Sequence, residues 1–358
     1  MPRAVHSASR PIDPAVETAR EAGLRYGTDS TPAIRRRRVG RGFRYETSDG
    51  KRVDGATLKR IRALVIPPAW RDVWIASDPL SHLQATGRDA KGRKQYRYHP
   101  RWAAIRDRQK YDHLLEFADA LPSIRRRVHA DLKQPPLSRE WVLATVVRIL
   151  DRAVLRIGNE AYVRENGSYG LTTLRNRHVR VRGARVTFRF RAKSGVLQQI
   201  DVADFELARA VRRCQELPGQ LLFQYVDGDG VAHSITSTDV NDYLRSASGA
   251  DLSAKEFRTW TGTLIAARGL CSAPPGRTLR HRRKTIVQVV DDVARRLGNT
   301  RAVCRKSYVH PEILRTYESG RPVNVGASNS IPRVGLNPCE QALRSFLRSL
   351  RPAERRAA

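Results

Sequence analysis

The sequence predicts an α+β fold: a small β-rich N-terminal domain over residues 31–110, then a larger, mainly helical domain over 111–320 that carries a three-stranded β meander. Three observations predict it. Between Gly42 and Trp102, short β-favouring pieces such as Asp72-Val73-Trp74-Ile75 are bounded by Pro67-Pro68 and by Asp78-Pro79. From Tyr111 onward, apolar residues recur at helical spacing. Between His178 and Ile200 the period returns to two, with turns at Gly183-Ala184 and Ser194-Gly195.

Taken in order, residues 1–30 mix Pro, Ser, Ala and charge without periodicity and read as a disordered basic tail. Arg35 to Arg38 reads as a solvated basic patch suited to phosphates. Gly87-Arg88-Asp89-Ala90-Lys91-Gly92-Arg93-Lys94 has the glycine spacing of a phosphate-binding P-loop, but Arg93-Lys94 replaces the Lys and Ser/Thr that hold phosphate and magnesium. Nucleotide binding is rejected here. Gly92 instead reads as a turn leading into Arg93, Gln95, Tyr96, Arg97 and Tyr98, a basic strand interleaved with aromatics. Gln can pair with an adenine edge and Arg with a guanine, so this is either an ordinary edge strand or a base reader.

Two helical segments between Tyr111 and Asn159 are separated by Pro135-Pro136. In the second, Ser138 is the expected N-cap, and Leu143, Val146, Val147, Leu150, Val154 and Ile157 make one stripe. That places Arg156 in the last helical turn, beside Gly158. In the meander, Lys193 lies at the second turn and is the only lysine between Lys133 and Lys255. Helices are expected over Phe205–Leu217 and about Asp239–Leu270, the latter holding Lys255-Glu256-Phe257-Arg258. Ile286, Val289, Val290, Val293 and Leu297 form a further stripe that Gly298 ends. Asn299 then begins a short helix expected to carry Tyr308. Residues 321–358 are Gly-, Pro-, Asn- and Ser-rich and read as a C-terminal tail, with one amphipathic piece, Cys339 to Leu350, whose docking is left open.

The chain has 358 residues and a formal net charge of +32, and only ten of its 67 basic residues are lysines. Charge of that size points to a polyanion, with nucleic acid the most general partner and a membrane surface its rival. No apolar run approaches the roughly 20 residues of a membrane span. Nor does a signal-peptide core follow Met1, so a cytoplasmic protein is expected. Cys214, Cys271, Cys304 and Cys339 lie far apart, which indicates neither a zinc site nor a disulfide framework.

The chemistry centres on Tyr308. A phenol with a pKa of about 10 is a poor nucleophile unless cations favour the phenolate. Arg301, Arg305 and Lys306 lie within seven residues of it. Breaking a phosphodiester needs an attacking hydroxyl, cations around the equatorial oxygens and an acid for the leaving oxygen. Tyr308, the pair Arg156 and Arg258, and Lys193 supply those parts, Lys193 because an ammonium can release a proton and a guanidinium effectively cannot.

In order and spacing this set resembles the type IB DNA topoisomerases, specifically the small poxvirus-like form found in bacteria, from about residue 30 to about 318. The resemblance rests on Arg156-Ile157-Gly158, Tyr162, Glu165-Asn166, Gly170-Leu171-Thr172-Thr173-Leu174, Lys193 at a hairpin, Lys-x-x-Arg at Lys255 to Arg258, and Tyr308. Asn299 stands where the viral enzymes carry a histidine, as it does in bacterial members, and Ser194 where they carry an aspartate. The resemblance implies a catalytic set of Arg156, Lys193, Arg258, Asn299 and Tyr308. It implies DNA contacts at Arg93, Gln95, Tyr96, Tyr98, Tyr162 and Lys255, and a monomer whose two domains clamp duplex DNA in the nucleoid. It also implies supercoil relaxation through a 3′-phosphotyrosyl link and strand rotation, with neither ATP nor a metal required. Asp291-Asp292, on the last stripe's helix, is the nearest thing to a magnesium site. The alternatives are a tyrosine recombinase, whose second arginine usually sits in His-x-x-Arg on a chain with a helical N-terminal domain, and a non-catalytic basic protein that coats DNA.

Overall fold

The computed structural model describes residues 13–31, 33–326, 332 and 334–350, and the chain divides into two units at Lys110/Tyr111. In the first unit, α1 (Pro14–Glu21) precedes β1 (Ala33–Val39), β2 (Gly42–Glu46), α2 (Gly55–Ala63), β3 (Arg71–Ala76), β4 (Leu83–Arg88) and β5 (Lys94–Tyr98). The strands form one antiparallel sheet in the order β2-β1-β3-β4-β5, which leaves β5 at an edge. One cluster joins Ile34, Val73, Ile75 and Ala85 to Ile61 of α2, and Ala33, Trp74, Ala76 and Leu83 form another. The register explains the arginine run. Arg36 donates to the carbonyls of Pro67 (3.1 Å) and Trp70 (2.6 Å) and stacks 4.1 Å from the Phe43 ring. The run is therefore not uniformly solvated, because a strand turns alternate side chains to opposite faces.

Residues 1–12 of the expected N-terminal tail lie outside the described residues, but the rest of it is ordered. Asp13 caps α1 by accepting from the Ala15 N–H, and Ala19, Ala22 and Leu24 pack with Trp102. No strong apolar stripe announced this helix; two alanines and a leucine suffice once Trp102 covers them. The P-loop likeness also has a packing explanation. A Cβ on Gly87 would fall 2.8 Å from the Trp70 ring, so Gly87 serves sheet packing, and Gly92 (φ 73°) makes the turn before β5.

The second unit begins within α3 (Pro100–Asp131) and is mainly helical: α4 (Arg139–Ala153) and α5 (Glu160–Asn166) lead to β6 (Val179–Arg182), β7 (Arg185–Arg191) and β8 (Leu197–Ala203). These three strands pair antiparallel in sequence order. Next come α6 (Phe205–Gln215), the short pair β9 (Gln224–Val226) and β10 (Ala232–Ser234), α7 (Ser237–Ser248) and α8 (Ala254–Cys271). The chain continues through α9 (Leu279–Leu297), α10 (Arg301–Ser307), α11 (Pro311–Glu318) and α12 (Pro338–Ser349). One core unites them, with Val142, Leu150, Val290, Val293 and Leu297 all inaccessible.

The C-terminal amphipathic piece docks. Leu343 and Leu347 of α12 enter the core, and buried Arg125 of α3 donates to Glu340 at 2.8 Å and to Asp151 of α4 at 2.9 Å. Losing one partner of such a triad costs about 3–5 kcal/mol. This piece therefore belongs to the second unit rather than to a tail. Residues 327–331, 333 and 351–358 of the expected tail lie outside the described residues. Among the described residues, no helix is long and apolar enough to cross a membrane.

Candidate active site

The segment after α9 fixes the site. Gly298 adopts the left-handed conformation (φ 59°) that ends α9, and a Cβ there would fall 2.1 Å from Gln198 Nε2 of β8, so both the backbone and the space require glycine. Thr300, not Asn299, caps α10 by accepting from the Val303 N–H. Asn299 is left free of that duty. Tyr308 occupies the C-cap of α10 rather than its interior, its N–H donating to the Cys304 carbonyl at 2.9 Å. Its own carbonyl accepts from Thr263 Oγ1 at 3.3 Å and lies where a Cβ on Gly262 would come to 2.6 Å. Tyr111 donates to the next carbonyl, Val309, at 3.0 Å. The half-buried phenol thus hangs from a backbone held on several sides.

Both arginines are oriented by neutral oxygens. Buried Arg258 donates through Nη1 to the Val154 carbonyl at 2.5 Å and through Nη2 to the Leu297 carbonyl at 2.8 Å, and its guanidinium lies 5.1 Å from the centre of the Tyr308 ring. The Val154 carbonyl is available because α4 ends at Ala153 and Val154 turns left-handed (φ 54°). The stripe expected to run to Ile157 therefore stops a turn early, and Arg156 lies beyond the helix in a segment without regular secondary structure. Its backbone is set by a glycine pair: Leu171 and Thr172 donate to the carbonyls of Arg156 (2.8 Å) and Ile157 (2.7 Å), and a Cβ on Gly170 would sit 2.4 Å from Gly158 Cα. Arg156 Nη2 then donates to Asn299 Oδ1 at 2.5 Å, while Asn299 Nδ2 rests loosely on the Leu297 carbonyl at 3.4 Å.

Lys193 stands at the β7–β8 turn, exposed, with Ser194 and Gly195 both at positive φ (67° and 76°). Its charge still reaches the phenol. Burial raises the Tyr308 pKa, but the Arg258 charge, helped by Arg156 and Lys193, outweighs burial and holds it below the usual value of 10.0. Burial and the repulsion of Arg156 lower the Arg258 pKa, which Tyr308 partly offsets. The neighbouring cations singled out from sequence are not among the largest influences on the phenol: Arg301 turns to Asp291 (2.6 Å), and Arg305 and Lys306 are exposed. A helix's successive residues point around its circumference, so sequence proximity to Tyr308 gave them no shared direction.

Arg156, Lys193, Arg258, Asn299 and Tyr308 are thus brought together in the second unit. Lys255 is exposed in the first turn of α8, one turn before Arg258, and Tyr162 is exposed on α5. In the first unit, Tyr96 and Tyr98 stack with centroids 6.0 Å apart, whereas Gln95 points to the opposite face of β5 and, with Arg93, donates to Asp89. The expected reading residues therefore do not share one face. Sequence reasoning missed Gln198 and the inaccessible Cys304, four residues before Tyr308, whose thiol burial pushes up against the pull of both arginines. Neither carried a motif, and only the close packing at Gly298 and the helical offset to Tyr308 could have signalled them.

The family model described as eukaryotic DNA topoisomerase I, catalytic core, matches residues 94–322, and that described as bacterial DNA topoisomerase IB, N-terminal domain, matches residues 42–89. The DNA topoisomerase 1B of Acanthamoeba polyphaga mimivirus is 31% identical over 295 residues, covering 80% of this chain and 88% of the viral protein. DNA topoisomerase 1 of Schizosaccharomyces pombe is 29% identical over 178 residues, 48% of this chain and 20% of that protein. DNA topoisomerase 1B of vaccinia virus (strain Copenhagen) is 24% identical over 153 residues, 42% of this chain and 49% of the viral one. With both family models falling in order along the chain and the mimivirus match spanning most of it, the protein belongs to the type IB DNA topoisomerases, ATP-independent isomerases that relax supercoiled DNA.

Proposed function

We propose that Tyr308 is the nucleophile of this relaxation. Its oxygen attacks a backbone phosphate to form a 3′-phosphotyrosyl bond while the bond to the 5′-oxygen breaks, and the free strand end swivels before the reverse step reseals it. The observation that carries this reading is the placement of the phenol 5.1 Å from the guanidinium of Arg258, an arginine fixed by two backbone carbonyls, with Arg156 fixed beside it by Asn299; these charges and Lys193 hold its pKa below the usual value in spite of burial. Arg156 and Arg258 take the two non-bridging oxygens, and Asn299 adds a hydrogen bond, its amide nitrogen lying loosely enough to turn to phosphate. Lys193, exposed at a hairpin tip, gives its proton to the departing 5′-oxygen and recovers it on religation.

One phosphodiester is exchanged for another, so no external energy is required. The site's own cations carry the charge stabilisation, and a metal is not needed for it. The protein acts as a monomer on duplex DNA in the nucleoid, with Arg93, Gln95, Tyr96 and Tyr98 on the first unit and Tyr162 and Lys255 on the second as DNA contacts. A tyrosine recombinase would share the site chemistry, but Lys255 precedes Arg258 where its histidine usually stands. The test is supercoiled plasmid with the protein in EDTA without ATP. Relaxed topoisomers support the reading; site-dependent strand exchange, or topology unchanged after deproteinisation, overturns it.

A further inference from the structure

Asp89 is an acidic residue placed among the residues expected to meet DNA, where its charge opposes phosphate. Its contacts give it another task. Oδ1 accepts the backbone N–H groups of Lys91 (2.9 Å) and Arg93 (3.0 Å), while Oδ2 accepts Arg93 Nε (2.8 Å), Arg93 Nη2 (2.7 Å) and Gln95 Nε2 (3.0 Å). An ionised carboxylate only accepts hydrogen bonds, and Arg93 holds this one well below the usual carboxylate range. The Gln95 amide must therefore face Asp89 with its nitrogen. That leaves Oε1, which accepts no hydrogen bond among the described residues, as the part of Gln95 turned to a partner.

We propose that Asp89 is a specificity-determining residue: by engaging the amide nitrogen of Gln95, it makes that side chain an acceptor, so that β5 prefers a base with a major-groove amino group, adenine or cytosine, over the keto bases guanine and thymine. A free glutamine amide would offer both functions, pairing in two places with adenine and adapting to the others. The held amide distinguishes amino from keto on the strand it faces. Arg93, neutralised by the same carboxylate, contributes orientation more than charge. The inference rests on the reading of Gln95 as a DNA contact.

The test is selection of covalently trapped duplexes from a library randomised around the cleavage site, sequenced for the wild type, Gln95→Ala, Asp89→Ala and Asp89→Asn. The wild type is expected to favour adenine or cytosine by about tenfold at one position, and Gln95→Ala to erase that preference. Asp89→Asn keeps an oxygen for the two backbone N–H groups but presents an NH2 on the other side, which releases the Arg93 guanidinium and faces Gln95, whose amide then reverses. Its preference should invert toward guanine or thymine, an outcome that mere unfolding cannot produce. The inversion must disappear when Gln95→Ala is added, since a released Arg93 could itself favour guanine. Asp89→Ala frees the amide, so cytosine should lose its advantage over guanine and thymine, leaving at most the adenine that a free glutamine pairs in two places. If Gln95→Ala erases the preference while both Asp89 variants retain it, Asp89 does not set it and the reading of Gln95 survives. If Gln95→Ala changes nothing, Gln95 is no reader and the inference falls with it. A wild-type preference for keto bases at a Gln95-dependent position also overturns it.

Discussion

Arg93 and Arg258 are both pinned arginines, and they are pinned in opposite ways. Asp89, a carboxylate, holds Arg93, so the pair is close to neutral. Two carbonyls hold Arg258 and an amide oxygen holds Arg156, so both keep their full charge while losing their freedom. A neutral acceptor orients a cation without cancelling its field, and that field moves the Tyr308 phenol. At a phosphate whose charge grows in the transition state, pre-set cations supply stabilisation without reorganisation. At a base edge, direction matters more than charge, and a carboxylate clamp is acceptable.

The largest expected effect tests whether the charged cluster serves Tyr308 at all. Tyr308→Phe removes one oxygen and leaves every cation in place, so DNA binding should stay near wild type while plasmid relaxation falls by more than about a thousandfold. Residual relaxation above that level would assign the nucleophile elsewhere.

Next in size is Lys193, the one cation of the site that no acceptor pins among the described residues. If freedom suits it to carry a proton, Lys193→Ala should slow single-turnover cleavage by roughly 10²- to 10⁴-fold, and Lys193→Arg should not restore it, because guanidinium keeps its proton. A substrate with sulfur at the bridging 5′ position leaves as thiolate, with a thiol pKa near about 8.5. On it Lys193→Ala should approach wild type, while Arg156→Ala and Arg258→Ala stay slow. Equal rescue of all three would erase the distinction between pinned and free cations.

Asn299 tests the neutral clamp directly. Asn299→Ala should cost roughly 1.5–3 kcal/mol of transition-state stabilisation, and Asn299→His, which can still donate, should keep activity. Asn299→Asp retains the shape and the oxygen that Arg156 uses, yet should cleave more slowly than Asn299→Ala, since a carboxylate would neutralise Arg156 and repel phosphate. If Asp is as active as Asn, the charge state of the clamp is irrelevant.

The same contrast governs what could be read from sequence. β5 was legible because its residues are consecutive and a strand needs only the period of two, although Asp89's hold on Gln95 was not. In the second unit the ordered motifs pointed to Arg156, Lys193, Arg258, Asn299 and Tyr308, which the fold brings together, because family spacing records a fold that local pattern does not. What stayed hidden are backbone acceptors. That the Val154 carbonyl would receive Arg258 depends on α4 ending at Ala153, and Val154 is an apolar residue that fits the helical stripe. Similarly, α1 lacked a pattern because its partner is Trp102, more than 80 residues away. Of the cations beside Tyr308 in sequence, Arg301 turns away to Asp291 for the converse reason, that neighbours along a helix face different ways.

The smallest and most direct measurement is the acidity of Tyr308 itself. Ultraviolet titration of the wild type minus Tyr308→Phe isolates one phenol among the chain's 11 tyrosines. Its midpoint should lie below the ordinary value of 10.0, because Arg258, Arg156 and Lys193 together outweigh burial. Arg258→Ala removes the largest of these pulls and leaves burial less opposed, so the midpoint should move up. Arg93→Ala, which removes a neutralised cation in the other unit, should leave it where it was. The linkage has a definite sign. A folded-state pKa below the unfolded one adds stability that is complete only above the unfolded pKa and is lost as pH falls through the folded one. That stability is therefore complete only in alkaline solution, and at the site the depressed pKa acts through the share of phenolate available for attack. A midpoint unmoved by Arg258→Ala would mean that an arginine held by carbonyls exerts no more field than one held by a carboxylate, and the comparison between the two regions would fail at its physical root.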